Sequence, residues 1–192
     1  MKRLFALLGL VFLPIGQTLA APAAAAGSTY EIEVLVFENR VPSLEGGELW
    51  IHDAAKGATA DTAEGATIGE VPPSDSALSP AAAVLHQDTN YRILAHIRWQ
   101  QTADTKSATP PVRIRSSDGQ LDGTLRFYLS RFLHTELNLS WHAAPAEGTG
   151  ARGDEGQIYR ISEQRRVKTL ELNYFDHPKF GALVRVAQVG KE

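Results

Sequence analysis

The sequence predicts an α+β fold: a sheet-dominated single domain of mostly antiparallel strands, with one short helix and long loops, after an N-terminal signal peptide. Two observations carry this prediction. Apolar and polar residues alternate with a period of two along several segments, which is the pattern of half-buried strands. One alanine-rich segment, 79–86, instead begins with Ser-Pro, which is typical of the first turn of a helix.

The first half of the chain contributes two strands and the helix. Residues 30–37 read YEIEVLVF, and this β-branched, initially alternating string predicts a strand. The helix over 79–86 is followed by a second alternating string, YRILAHIRWQ, over 91–100. A short edge strand is predicted over 112–115, where a turn follows.

The segment 121–141, LDGTLRFYLSRFLHTELNLSW, is the strongest strand signal. Its odd positions are nearly all apolar and its even positions nearly all polar, without the three- and four-residue spacing of a helix. We therefore predict one long strand with a bend or bulge near 130–132, because Arg131 enters the apolar row there and Phe132 the polar one.

The C-terminal part of the chain predicts further antiparallel strands. Extended structure resumes over 157–165 and continues over 167–174, and 182–189 is predicted as the return strand of a hairpin. The string DHPKFG between them predicts a turn, because Pro178 fixes one backbone dihedral and Gly181 permits a positive one.

The N-terminus has the organisation of a cleavable secretory signal. Lys2 and Arg3 precede an apolar run over 4–15 that is too short to span a membrane, and small residues stand just before Ala21. We predict a signal peptide over 1–20 and a mature single domain over 21–192. The predicted location is the periplasm, with no stable membrane insertion after cleavage.

Composition narrows the class of protein further. The chain has no cysteine, so disulfides cannot stabilise it and cysteine lipidation cannot anchor it. With 19 Lys+Arg against 22 Asp+Glu, the formal net charge is −3, and this mild acidity argues against nucleic acid as a partner. Residues 53–75 have almost no large apolar side chains, which predicts a disordered insertion.

Catalytic and metal sites have little support in the sequence. A zinc site needs three or four converging ligands, whereas each candidate histidine stands alone on its own predicted element, so no metal and no cofactor is predicted. Those histidines are His96, His134 and His177. A carboxylate hydrolase remains an alternative, because two acids distant in sequence can meet in space. Its candidate acids are Glu136, Glu171 and Asp176.

Arginines, aromatic rings and amide or carboxylate groups share the polar rows of the predicted strands. Such a face can bind an extended polymer that carries sugars and carboxylates, because guanidinium groups pair with carboxylates and rings pack against sugar faces. A solvated face with internal ion pairs would have the same composition. The residues nominated for ligand contact are Arg98, Arg126, Tyr128, His134, Arg165, Arg166 and His177.

Four strings are distinctive together and in this order: YEIEVLVFE, YRILAHIRWQQ, LDGTLRFYLSRFLHTELNL and RISEQRRVKTLELNYFDHPKFGALVRV. They resemble the CsiV family of exported peptidoglycan-binding proteins associated with cell-shape integrity. The resemblance covers most of the mature chain, and the last string is its most specific part. It implies a periplasmic, non-enzymatic protein that binds peptidoglycan or the machinery that builds it. It carries over no individual ligand-binding residue.

Two functional hypotheses follow. The first is a non-enzymatic peptidoglycan-binding protein that supports cell-wall synthesis and cell shape. The alternative is a protein–protein adaptor that regulates a cell-wall synthase without direct glycan binding, which would present an exposed apolar patch. Phe132, Phe175 and Phe180 are the residues predicted to contribute to that patch.

Overall fold

The computed structural model describes residues 27–40, 76–143 and 158–190. The signal peptide predicted at 1–20 and the insertion predicted at 53–75 lie outside these residues. The described elements are β1 (Thr29–Asn39), α1 (Ser79–Gln87), β2 (Tyr91–Thr102), β3 (Val112–Arg115), β4 (Leu121–Leu129), β5 (Leu133–His142), β6 (Ile158–Arg166), β7 (Leu172–His177) and β8 (Phe180–Gln188). Their strand pairings are antiparallel, so the predicted sheet-dominated fold is confirmed.

The strands form two sheets that pack face to face. Sheet A has the strand order β2-β1-β8-β7, and sheet B has the order β3-β4-β5-β6. Inward side chains of both sheets enter one core, in which Trp99 of sheet A and Leu137 of sheet B are buried. The ring of Tyr30 on β1 lies 5.3 Å from that of Phe127 on β4 and so joins the sheets. Burial of this shared apolar layer is the main driving force for the fold.

The prediction of one long strand over 121–141 is wrong, because this segment is a hairpin. β4 ends at Leu129, β5 begins at Leu133, and these two residues pair across the turn. The turn contains Arg131 and Phe132, so the chain reverses where a bend was predicted. Because Leu129 and Leu133 are both odd-numbered, the apolar row is odd on both sides of the turn, and the alternation interrupted at Arg131 and Phe132 resumes in the same phase.

Two predictions for the C-terminal hairpin also need correction. The strand predicted from residue 167 begins only at Leu172, since Leu170 has a φ of 66°, which interrupts extended backbone. The turn consists of Pro178 and Lys179, whereas Gly181 lies inside β8 and has no positive φ. Gly181 therefore needs a different explanation, which comes from side-chain packing.

Arg92, near the start of β2, links the two sheets at one end. Its Nε donates to Glu38 Oε2 of β1 at 2.6 Å. Its Nη1 donates to Asp118 Oδ2 at 3.1 Å, and its Nη2 donates to Gln120 Oε1 at 2.8 Å, both in the turn before β4. One guanidinium group therefore holds the end of sheet A against the β3–β4 turn of sheet B.

Replacing Arg92 with alanine should lower the free energy of unfolding by about 1–2 kcal/mol, because the lost hydrogen bonds are charged but partly exposed. Arg92→Lys should recover only part of this loss, since an ammonium group cannot reach three acceptors in a planar fork. Urea unfolding at pH 7 measures both variants. Equal stability of the parent and Arg92→Ala would show that this link contributes nothing to the packing of the sheets.

Candidate functional site

The residues nominated from the sequence do not share one surface, so that part of the prediction is wrong. Arg98 lies on the outer face of sheet A, paired in register with the outward Glu33 of β1. Arg165 points inward at the open edge of β6, and His177 lies at the end of β7 near the ring of Tyr159. The nominated residues on the outer face of sheet B are Arg126, Tyr128, His134 and Arg166.

We call the outer face of sheet B the arginine face. Its side chains come from the even-numbered positions of β4, β5 and β6 and from the odd-numbered positions of β3, while most of the alternate positions of these strands fill the core. Basic groups outnumber acidic ones on this face, although the whole chain is net negative. The described basic residues are Lys106, Arg113, Arg115, Arg126, Arg160 and Arg166, and the acidic ones are Asp122 and Glu136.

Some of these basic groups are already neutralised. Arg113 Nε and Arg115 Nε lie 2.9 and 3.1 Å from Asp122 Oδ1. Burial raises the pKa of Asp122, but the hydrogen bonds and charges of these two arginines outweigh it and lower that pKa. Lys106 Nζ lies 3.0 Å from Glu136 Oε2. The basic residues of this face that form no ion pair with any described residue are Arg126, Arg160 and Arg166.

Arg126 and Arg166 lie against the protein without being neutralised by a described residue. The Nε atom of Arg126 is buried on the sheet and has no hydrogen-bond partner in the described ranges. The Cζ atom of Arg166 lies 3.5 Å from the centre of the Phe132 ring, a cation–π contact that fixes the guanidinium plane. A guanidinium group stacked on a ring still presents its N–H groups at its edge, where a carboxylate can accept two of them.

Tyr128 is a buried member of the arginine face and packs against its neighbours there. Its ring stacks on that of His134, with centroids 5.2 Å apart and planes 11° apart, and Lys106 Nζ lies 5.5 Å from its centre. Since Tyr128 is only 4% exposed, its ring has no free face for a ligand. Arg160 was missed by the sequence reasoning, although it occupies the outward row of the strand predicted over 157–165.

Arg165 and Arg98 make contacts that serve the fold. Arg165 Nη1 donates to the carbonyl oxygen of Tyr174 at 2.6 Å, and its Cζ lies 4.5 Å from the centre of the buried Phe175 ring. These contacts cover the outer edge of β7, which would otherwise be open to pairing with another strand. Arg98 Nη1 lies 3.8 Å from Glu31 Oε1, and its side chain is largely buried.

A second concave surface, which we call the aromatic cleft, lies at the end of sheet A near the β7–β8 turn. It encloses about 410 Å³. The rings of Phe37 and Tyr174 are nearly parallel, 7° apart with centroids separated by 6.2 Å, and Tyr91 meets Phe37 edge-on at 5.7 Å. The remaining lining residues are Asn39, Leu85, Asp176, His177, Pro178 and Phe180. His177 is therefore the nominated residue that this cleft contains.

The apolar patch predicted for an adaptor does not form. Phe175 and Phe180 are 0% and 1% exposed and belong to the core. Phe132 is covered on one face by Arg166. The exposed large apolar side chains that the structure describes on or next to β7, the edge strand of sheet A, are Leu170, Leu172 and Tyr174, and the sequence reasoning nominated none of them for a contact surface.

The acids nominated for a hydrolase lie apart. Glu136 is on the outer face of sheet B, whereas Asp176 is on sheet A, and Glu171 precedes β7 at the opposite end from Asp176. In the described part of the chain, no group of three or more His, Asp or Glu side chains is placed to hold a metal ion. The same residues include no helix that is long and apolar enough to cross a membrane.

Comparison with known families gives a match over nearly the whole chain. A family model described as "Peptidoglycan-binding protein, CsiV" matches residues 4–189. This match spans every described strand of both sheets and confirms the resemblance found in the sequence. No curated protein and no solved structure matches the chain.

Proposed function

The chain belongs to the CsiV family, and from that membership we propose that it is a periplasmic peptidoglycan-binding protein that uses the arginine face. In this proposal the protein supports cell-wall synthesis and cell shape without catalysing a reaction. The family description supplies the polymer, and the arginine face supplies the chemistry of contact. Peptidoglycan carries carboxylates on its stem peptides, and carboxylates are the natural acceptors for unpaired guanidinium groups.

The arginines that form no ion pair with a described residue are Arg126, Arg160 and Arg166, and they carry this proposal because their spacing suits a polymer. Arg126 is on β4 and Arg160 and Arg166 are on β6, so β5 separates them, which places them roughly 10 Å apart across the sheet. Arg160 and Arg166 are separated by about 20 Å along β6. A single small anion cannot contact all three groups, whereas a chain with repeated carboxylates can.

The unpaired state of these arginines also has an electrostatic consequence. Like charges on one face repel each other, so the face should attract a polyanion most strongly at low ionic strength. Each exposed arginine–carboxylate contact contributes only about 0.2–1 kcal/mol. Several contacts on one polymer add, because the second and later contacts form within an already bound complex. We therefore expect binding that is multivalent and sensitive to salt.

Co-sedimentation with purified peptidoglycan sacculi over a salt series tests the proposal. The parent protein should pellet at low salt and be released as salt rises. The triple variant Arg126→Ala, Arg160→Ala, Arg166→Ala should bind roughly 3- to 150-fold more weakly, because three contacts of about 0.2–1 kcal/mol each are lost. Its melting temperature should stay close to that of the parent, because these side chains point outward.

The matched control is Arg113→Ala with Arg115→Ala, which removes basic groups from the same face. Both of these arginines are already paired with Asp122, so their loss should weaken pelleting less than the triple substitution does. Equal pelleting of the parent and the folded triple variant would refute a role for the arginine face. A parent protein that stays in the supernatant at low salt would refute peptidoglycan binding itself.

That last outcome would favour the second candidate function, an adaptor for a cell-wall synthase. The observation in its favour is the exposure of Leu170 and Leu172, at 58% and 55%, along the edge of sheet A. Exposed apolar side chains at a strand edge are typical of a protein contact surface. Leu170→Ser with Leu172→Ser should then abolish synthase binding, while the melting temperature stays close to that of the parent because both side chains are exposed.

A further inference from the structure

We propose that the aromatic cleft is a second binding site, which holds a pyranose ring of a glycan strand. The inference rests on the proposed function for the source of the ligand, but it concerns different residues on the other sheet. The cleft volume of about 410 Å³ falls within the range of small-molecule sites, roughly 300–1,000 Å³. It is therefore large enough for a sugar ring with its substituents.

The aromatic rings of the cleft offer a flat apolar wall. Tyr174 is 44% exposed although it is a large ring on a strand, and Phe37 lies parallel to it. The face of an aromatic ring carries partial negative charge, and the axial C–H bonds of a pyranose carry partial positive charge, so the two stack favourably. Tyr91 closes one side of this wall through its edge-on contact with Phe37.

Gly181 explains how the sequence keeps these two rings in place. A Cβ atom at this position would lie 2.8 Å from Tyr174 Cε2 and 3.1 Å from Phe37 Cζ. The rings therefore occupy the space that a side chain at 181 would fill. This glycine serves no turn, since it lies inside β8. Its role is to let Tyr174 and Phe37 lie low and parallel on the sheet.

The rim of the cleft provides hydrogen-bonding groups. The Tyr174 hydroxyl donates to Asp176 Oδ1 at 2.7 Å. Burial raises the pKa of Tyr174, and Asp176 raises it further through the hydrogen bond and its charge, so the hydroxyl stays protonated. The other oxygen of Asp176, Oδ2, accepts no hydrogen bond from any residue the structure describes. That oxygen can accept a hydrogen bond from a sugar hydroxyl.

The charge of the cleft distinguishes it from the arginine face. No lysine or arginine is among its described lining residues, and Asp176 contributes a negative charge. A carboxylate-bearing peptide would be repelled here, whereas a neutral sugar with an apolar face and a polar rim fits both groups of contacts. The two sites thus select different parts of one polymer: the peptides on sheet B and the glycan on sheet A.

The test uses short soluble chitin oligosaccharides, which are neutral N-acetylglucosamine strands without stem peptides or carboxylates. Calorimetric titration should show that the parent binds these strands and that Tyr174→Ala binds on the order of tenfold more weakly, which corresponds to the loss of one stacking contact. The arginine-face triple variant should bind them as the parent does. Leu172→Ala is the matched control, because Leu172 is exposed on the same strand and face but lies outside the cleft.

Asp176→Asn provides a second probe, since it keeps the shape of the side chain and should fold even if Tyr174→Ala does not. It should weaken glycan binding by removing the charged acceptor. Parent protein that does not bind the peptide-free strands, or Asp176→Asn and folded Tyr174→Ala variants that bind as tightly as the parent, would overturn the cleft assignment. Arginine-dependent pelleting of sacculi could persist in that case, so failure here differs from failure of the proposed function.

Discussion

Gly123→Ala should destabilise the protein by about 3 kcal/mol or more, because it forces a methyl group into the backbone of the next strand. Gly123 lies on β4, between Ile114 of β3 and Leu139 of β5. A Cβ atom there would overlap the carbonyl oxygen of Asn138 and lie 2.8 Å from Leu139 Cα. These are backbone atoms of β5, a central strand hydrogen-bonded on both sides, so they cannot move without breaking pairs in sheet B.

Thermal unfolding followed by circular dichroism measures this effect. A loss of about 3 kcal/mol in a domain of this size corresponds to a fall in melting temperature of roughly 6–12 °C. Thr124→Ala is the control, because Thr124 is the next residue of β4 and faces outward, where the loss should stay below about 1 kcal/mol. Equal melting temperatures for the two variants would show that the backbones of β4 and β5 leave room for a Cβ atom at position 123.

The periodicity of the sequence predicted which side chains point inward but not which strands pair. The row 121–141 keeps its odd-numbered apolar residues on the core side whether it is one strand or a hairpin, since Leu129 and Leu133 have the same parity. Only long-range pairing distinguishes the two arrangements. The expected α+β class was therefore correct, while the strand count in this segment was not.

Because periodicity does not predict strand pairing, it also could not show that the nominated residues lie on different surfaces. Arg98 and Arg126 both occupy outward rows, yet β2 pairs with β1 in sheet A and β4 pairs with β3 and β5 in sheet B. A period of two identifies the outward row of a strand, but two packed sheets have two outer faces. The aromatic cleft could not be predicted for a similar reason, because Phe37 and Tyr174 come from strands far apart in the chain.

Gly181 shows how a local interpretation can identify an important residue for the wrong reason. In sequence, a glycine three residues after a proline is typical of a turn. In the structure, its small size matters because the rings of Tyr174 and Phe37 pass over it. Side-chain packing between distant strands has no local signature, so the sequence alone could not separate the two roles.

Glu33→Ala should destabilise the protein by about 3 kcal/mol and loosen α1 from sheet A, because it breaks a buried charged network. Glu33 is 2% exposed. Its Oε1 lies 2.7 Å from His96 Nε2, and its Oε2 accepts a hydrogen bond at 3.2 Å from the backbone N–H of Leu78, the residue that caps α1. The helix itself has no buried residue, so this bond is a principal attachment between α1 and the sheet.

The network should also make stability depend on pH in a definite direction. Burial raises the pKa of Glu33, but hydrogen bonds from His96, Ser76 and Leu78 outweigh it and lower the pKa below its ordinary value of 4.5. The unfolded chain therefore takes up this proton at a higher pH than the folded protein does. The resulting stability is complete above the ordinary pKa and is lost as the pH falls through the lower folded-state pKa.

Urea unfolding of the parent and Glu33→Gln between pH 7 and pH 3 separates this contribution from that of the other carboxylates. The stability difference between them should be largest near neutral pH and should shrink in acid, as protonation of Glu33 makes the parent resemble the variant. Glu31→Gln is the control, because Glu31 lies two residues away on the same face and is more exposed. A stability difference between the parent and Glu33→Gln that stays constant with pH would mean that ionised Glu33 does not hold α1.

Leu85 of α1 lines the aromatic cleft. If Glu33→Ala loosens α1 from sheet A, it should therefore also weaken glycan binding at pH 7.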